Sequence, residues 1–448
     1  MFQEVLEIHF LILIIIVKIK NGSENRMRYN ILILVIVTLI ISSSTLLARI
    51  IIPPINGPII KKISVFVPEL TPVAGGGDEK AFEFADVLRN DLLNAGLFDV
   101  HDARGIPLGG NGNINFQAFF DAGAEELIKG EYNSSGDRIQ IAARLFDVAQ
   151  EKDLLGRSYE ATPGKVREAA HRFASAVMKE LTGIEGFFNS KIVFVSGVGQ
   201  NRDLYIMDYD GRNTKRLTSH RSLLLSPHCS SDGTKIVFSS DKVWNQDIYV
   251  LSLVPRIEER RLTHALRLDQ SPEWSPDGGR IAYSENGDIF VSNSDGSGAL
   301  NLTHSPAIEV SPTWSPDGGQ IAFVSNRSGV PQIYVMNSDG SNVRRITSGG
   351  YDTDPSWSPN FGIHRIAFVR VEGSEANIFT ISPDATDEQR LTRGARRNEN
   401  PSWSPDGHYI TFASTRNGAK NIYVMYLNGE NQRPLTKDGG KSFPTWCR

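Results

Sequence analysis

The side chains that could carry chemistry in this sequence are few and scattered. His264 and His304 each directly follow a Leu-Thr pair, and His220 lies two residues after one. Three imidazoles at such equivalent places could bind a metal or sense pH, but no carboxylates cluster with them, so solvated turn residues are the plainer reading. Asp-Gly pairs recur, yet each such turn holds one acid, whereas a calcium loop needs several acidic oxygens at close spacing. There is no G-x-S-x-G nucleophile elbow, no P-loop and no H-E-x-x-H. Arg393, Arg396 and Arg397 form a small basic cluster that reads as a solvated loop. With only two cysteines, Cys229 and Cys447, a zinc ribbon and an iron–sulfur site are excluded. The expectation is a protein that is not an enzyme and holds no cofactor or metal.

The elements that carry these residues follow from the rest of the chain. It has 448 residues, 40 of them Gly and 22 Pro, which implies many short elements and many turns. That length exceeds one ordinary core and suggests a repeat array plus a domain. Lys and Arg number 47 against 51 Asp and Glu, for a formal charge of -4. Such a balance argues against a nucleic-acid partner, whose footprint would be strongly basic.

A repeat dominates the second half. Leu-Thr or Ile-Thr recurs with its threonine at 218, 263, 303, 347, 392 and 436. Between these lies Pro-x-Trp-Ser-Pro-Asp-Gly at Pro272, Pro312 and Pro401, with a variant at Pro355 and a degraded copy at Pro227, where Cys229 replaces the tryptophan. Strands such as Gln320–Val324 and Gln332–Met336 fill the interval, so each unit reads as four short strands. A period of about 40–45 residues with four strands marks a propeller blade, and residues 191–448 hold six. The first unit lacks its Pro-x-Trp strand, and Ser442–Cys447 is an orphan copy of that strand. The two should combine into one blade that closes the ring. Cys229 and Cys447 then fall in neighbouring blades. An oxidising compartment would allow a disulfide, while shared repeat geometry, which puts the two side chains at alternate positions, argues against it.

The amino-terminal end is read as a leader. Residues 8–17 and 31–41 are apolar runs too short to span a bilayer, and the second follows Arg26 and Arg28 as in a signal peptide. Residues 1–48 are taken as that leader, with 1–26 a possible upstream extension. An uncleaved membrane anchor is the alternative. Residues 49–60 hold Pro53-Pro54 and should be extended, an arm rather than a helix. Residues 61–185 read as an α/β domain: a strand at 61–67, a helix at 78–95 with Phe82, Ala85, Leu88 and Leu92 on one stripe, a short helix at 115–122, strands at 125–132, 138–147 and near 154–160, and a helix capped by Thr162 and ended by Gly183.

The Leu181–Phe187 segment, the Ser-Pro-Asp-Gly repeats and the terminal Lys441–Trp446 strand together resemble the TolB family of the Tol–Pal system. The resemblance implies a mostly β chain with an α/β amino-terminal domain and a six-bladed β-propeller of WD40-like (PD40) repeats. It implies a monomeric periplasmic adaptor, for outer-membrane integrity and constriction at division, that binds the lipoprotein Pal through its propeller and TolA through its amino-terminal segment. No small-molecule substrate is expected. Arg49, Ile50, Ile51 and Ile52 match the TolA-contacting segment, although Pro53-Pro54 replaces more polar residues there. The alternative is a generic secreted propeller binding peptide or carbohydrate. For Pal, the loops leading into the Pro-x-Trp strands should ring the channel mouth with varied, mostly polar or acidic residues: Leu225, Asp269, Gln270, Glu309, Val310, Asp352, Thr353, Asp354, Glu399, Asn400, Ser442 and Phe443.

Overall fold

The computed structural model describes residues 61–448, apart from 74–78, 110–112, 265–266, 360 and 395. The expected leader and arm, with Arg49, Ile50, Ile51 and Ile52, lie outside the described residues.

The first domain contains β1 (Ile63–Phe66), β2 (Thr71–Pro72), α1 (Glu79–Ala95), β3 (Phe98–His101), α2 (Phe116–Asp121), β4 (Glu126–Ser135), β5 (Arg138–Asp147), β6 (Lys152–Ala161) and α3 (Val166–Thr182). The sheet order is β3-β1-β4-β5-β6, with β2 added to β4. β1 is parallel to β3 and β4, and β4, β5 and β6 form an antiparallel meander. Ile139, Ile141, Ala143 and Leu145 alternate inward along β5, as a half-buried strand requires. α1 and α3 share one core through Phe84, Leu88, Leu92, Phe173, Val177 and Leu181. Phe82, expected on the buried stripe, is exposed, and Phe84 takes the inner position. Thr162 precedes a 3₁₀ turn and makes no capping bond, so α3 starts one turn later than its cap signal suggests. β3 escaped the sequence reading because its four residues are too short to show a period.

The propeller has six four-stranded sheets. Inner strands Leu224–Cys229, Asp269–Trp274, Glu309–Trp314, Tyr351–Trp357 and Asn398–Trp403 begin blades 2 to 6. Blade 1 is split as expected: Lys441–Cys447 pairs with Lys191–Val198, which continues into Asn201–Asp208 and Lys215–Arg216. Outermost strands are two residues long in every blade but the second, where Glu258–Arg261 has four.

The repeated residues are structural staples. In each blade the Leu-Thr threonine hydroxyl accepts the backbone N–H that opens the third strand, as in Ile333 to Thr347 at 2.9 Å. In blades 1, 3, 4 and 6 it also donates to the side chain one residue before that N–H, as in Thr347 to Gln332 at 3.1 Å. This ties the loop leaving the outer strand back to the sheet. In the Ser-Pro-Asp-Gly turn Ser315 donates to Asp317 at 2.5 Å and accepts from Gln320 N–H at 2.8 Å. The turn aspartates are thus spent on local bonds. Each repeat tryptophan fills the seam with the preceding blade: Trp274, Trp314, Trp357, Trp403 and Trp446 each belong to a different apolar cluster.

Cys229 and Cys447 are disulfide-bonded, with Cα atoms 5.5 Å apart. Their alternate positions, which argued against pairing, are what permits it. Blades stack face to face, so opposite faces of adjacent blades meet across a seam. Both cysteines fall in the seam between blades 1 and 2, among Val193, Leu224, Ile236 and Phe238.

Among the described residues no helix is long and apolar enough to cross a membrane.

Candidate functional site: the propeller channel and its open face

Each inner strand carries a bulge just before its proline. The bulged residue sits at positive φ in every blade: Ser226 (48°), Ser271 (50°), Ser311 (55°), Asp354 (49°), Asn400 (54°) and Phe443 (49°). None is glycine, so all six positions hold a conformation that L-residues adopt rarely and that concentrates at functional sites. The bulges ring a cavity of about 290 Å³ at the mouth of the channel, lined by these residues with Leu225, His228 and Glu273. A second cavity of about 320 Å³ continues beneath it, along the tryptophans.

The mouth opens on the face away from the first domain. Loops between second and third strands also reach this face, and they carry exposed Val198, Trp244 and Val330, with exposed Leu268, Ile308 and Tyr351 beside the inner strands. The opposite face is occupied. Tyr409 donates to the Ala95 carbonyl at 2.8 Å, Tyr209 to Asp91 at 2.6 Å, and Arg167 to Asp210 at 2.8 Å. His171 Nδ1 lies 2.7 Å from Asp91, whose carboxyl is pushed up by burial despite these bonds. Phe187 packs on Tyr209, Tyr409 and Trp446. At Gly96, which ends α1, a Cβ would collide with Tyr426 of blade 6 at 2.5 Å.

The residues expected to form an acidic rim divide into two groups. Leu225, Gln270, Val310, Thr353, Asp354, Glu399, Asn400, Ser442 and Phe443 are half-buried at or near the mouth. Asn400 donates to Asp354 at 2.9 Å. Glu399, although partly desolvated, is held below the usual carboxylate range by Lys420 and Arg397. Asp269, Glu309 and Asp352 belong elsewhere: each lies at the start of its inner strand, as the first residue in two blades and the second in Tyr351–Trp357, and is fully buried. Glu309 pairs with Arg327, and Asp352 receives two bonds from Arg370 at 2.7 and 2.9 Å. Glu309 and Asp352 therefore anchor their blades, because these side chains are buried against an arginine and not set along the rim. Asp269 has Gly287 where the others have arginine eighteen residues on, so it lacks the partner that Glu309 and Asp352 have at that position. Burial pushes its carboxyl up to about 7, with Glu285 and Asp247 adding repulsion.

Of the three histidines, His220 Nε2 lies 2.7 Å from Glu259. Among the described residues no three His, Cys, Asp or Glu side chains gather where a metal ion could be held. The sequence reading passed over His228 and Glu273, which stand inside the channel. Their signal was present: the x of Pro-x-Trp is Thr or Ser in the other four blades.

Comparison with known proteins decides the family. The TolB beta propeller domain model matches residues 178–448, and the TolB amino-terminal domain model matches residues 54–154. The chain belongs to the TolB family. A TolB homolog of Chlorobium luteolum is 35% identical over 388 residues, 84% of this chain and 88% of that protein. A Tol-Pal system protein TolB of Syntrophotalea carbinolica is 37% identical over 191 residues, 41% of this chain and 44% of that protein. The crystal structure of TolB from Acinetobacter baumannii superposes with a TM-score of 0.75 at 24% identity, covering 87% of this chain and 97% of that one. This match extends the TolB architecture of propeller plus amino-terminal domain to the present chain.

Proposed function

We propose that this TolB-family chain is a non-catalytic adaptor of the Tol–Pal system that docks Pal on the open face of its propeller. The observation that supports this reading is the asymmetry of the two faces. One is sealed by the α/β domain, while the other presents six strained bulges around a cavity and a set of exposed apolar side chains. Exposed apolar groups around a polar centre mark protein interaction surfaces, and tryptophan is the commonest energetic anchor in them. Relatives carry the name Tol-Pal system protein TolB. In this reading residues 1–48 direct export to the periplasm and residues 49–60 engage TolA, linking the inner membrane to Pal during envelope constriction.

The test is calorimetric titration with Pal from the same organism. Replacing Trp244 and Ile308 with Ala should weaken binding at least about 10-fold, or ~1.4 kcal/mol. Replacing Asp295 and Asp339, which close turns on the far face, should leave it unchanged. The reverse pattern would move the site to the far face. Deleting 49–60 should abolish TolA binding and leave the melting temperature intact; unaltered TolA affinity would remove that half of the reading.

A further inference from the structure

The channel-facing x residues of Pro-x-Trp link neighbouring blades. Ser402 accepts the Trp446 N–H at 3.0 Å, and Thr313 accepts the Trp357 N–H at 3.1 Å. Blades 2 and 3 put ionisable groups in this ring. Glu273 Oε1 accepts from Trp314 N–H and from the Thr313 hydroxyl, both at 2.9 Å. Its Oε2 faces His228 Nε2 at 3.7 Å, too long for a hydrogen bond. His228 Nδ1 accepts from the Trp274 N–H at 3.4 Å, which leaves the proton of the neutral ring on Nε2. Both side chains line the upper and the lower cavity, so the pair stands at their junction. The other acid of the upper cavity is Asp354, and among the described residues no Lys or Arg lines it.

We propose that this junction receives one positively charged side chain, a lysine or an arginine, carried by the protein that docks on the open face. The proposal rests on the docking reading above. Glu273 Oε2 is the counter-ion, held in place by the two bonds to Oε1, and Asp354 nearer the mouth favours entry of a cation over an anion. A side chain anchored in a docked protein has already lost its translational freedom, so a single ion pair holds it firmly; a free amine makes the same ion pair and fills the site only at high concentration.

A proton is coupled to this event. In the empty channel burial pushes Glu273 up to about 8 and His228 down to about 4, so both are neutral at pH 7. The groups facing Glu273 are His228 from blade 2, Thr313 and the Trp314 N–H from blade 4, and Asp354 from blade 5. None of these is cationic at that pH; the lower cavity is also lined by Arg448, and burial set against the two bonds to Oε1 accounts for the shift of Glu273. A cation at Oε2 favours the carboxylate, so docking expels a proton and tightens as the pH rises from about 6 to about 8.

The test has two arms. In the first, Pal is titrated into wild type and Glu273→Gln in two buffers of different ionisation enthalpy. Gln keeps the Oε1 acceptor. Wild type should release close to one proton per complex at pH 7, and the variant none, with affinity about 10-fold lower. Equal affinity in wild type and variant overturns the proposal. In the second arm, butylammonium chloride is added to wild type and the Glu273 13Cδ resonance is followed, with potassium chloride at matched ionic strength as control. Movement with butylammonium alone supports a cation site; identical behaviour of the two salts overturns it. If Pal fails to bind wild type at all while butylammonium moves the resonance, the docking reading falls and the cation site stands.

Discussion

The disulfide closes the ring at the seam where the chain ends meet, and its contribution can be worked out. Cys229 and Cys447 are 218 residues apart. Cross-linking a loop of that length removes unfolded-chain entropy worth about 5 kcal/mol at 25 °C. For a domain of this size that corresponds to a fall in Tm of roughly 10–20 °C when the link is lost. Replacing both cysteines with Ala breaks the link without leaving a free thiol, and both sites are buried among apolar side chains that tolerate a small residue. Calorimetry should show the double variant and reduced wild type melting together, well below oxidised wild type. Ending the chain at Lys441 should cost more, because it also removes Trp446, whose indole fills the blade 6 seam and donates to Ser190 at 2.6 Å; burial of that side chain alone is worth about 3–5 kcal/mol. Oxidised and reduced wild type melting within about 2 °C of each other would refute the reasoning, since the link would then constrain nothing that the seam does not already hold.

Two further outcomes are expected from the buried acids. Asp352→Ala removes two of the hydrogen bonds of the Arg370 guanidinium, which keeps Glu388 as a counter-ion at 2.6 and 3.0 Å, so urea unfolding should show a loss of about 1–3 kcal/mol. The pH dependence near Asp269 runs in the less common direction. Its folded pKa of about 7 exceeds the unfolded value of about 4, so its favourable contribution is complete below pH 4 and is lost as pH rises toward 7. Asp269→Asn should therefore be the more stable protein at pH 8 and gain nothing at pH 4, as read from melting temperatures at the two values.

The propeller was legible because its staples repeat. The threonine hydroxyl and the Ser-Pro-Asp-Gly turn each satisfy local backbone groups, so the blades need them in the same place: the sequence displays the threonine six times and the intact turn three times, with a variant and a degraded copy besides. The split blade was legible for the same reason, from a missing copy at one end and an extra one at the other. The acids of the inner strands are buried although polar, because each of Glu309 and Asp352 meets an arginine inside the blade. The signal is in the sequence: Glu309 and Arg327, Asp352 and Arg370, and Asn398 and Arg416 all stand eighteen apart, a spacing that joins the start of one strand to the loop after the next. The disulfide depended on which faces of two strands meet across a seam, and a strand pattern gives alternation without saying which neighbour each face meets. His228 and Glu273 are hard to read from sequence because they vary inside an otherwise constant strand, where a changed residue looks like repeat drift and not like a site.

The shortness of the outermost strands bears on how this molecule keeps apart from its own copies. A closed ring hides the inner edges of its sheets, but each blade still ends on one strand facing water, six open edges in all. Two-residue strands offer too few unpaired N–H and C=O groups to template a second chain. The one longer edge reads Glu258-Glu259-Arg260-Arg261, charged throughout. A propeller of 24 strands thus offers its own copies little to pair with, because each of its outer edges is either too short to start a fibril or too charged to be matched.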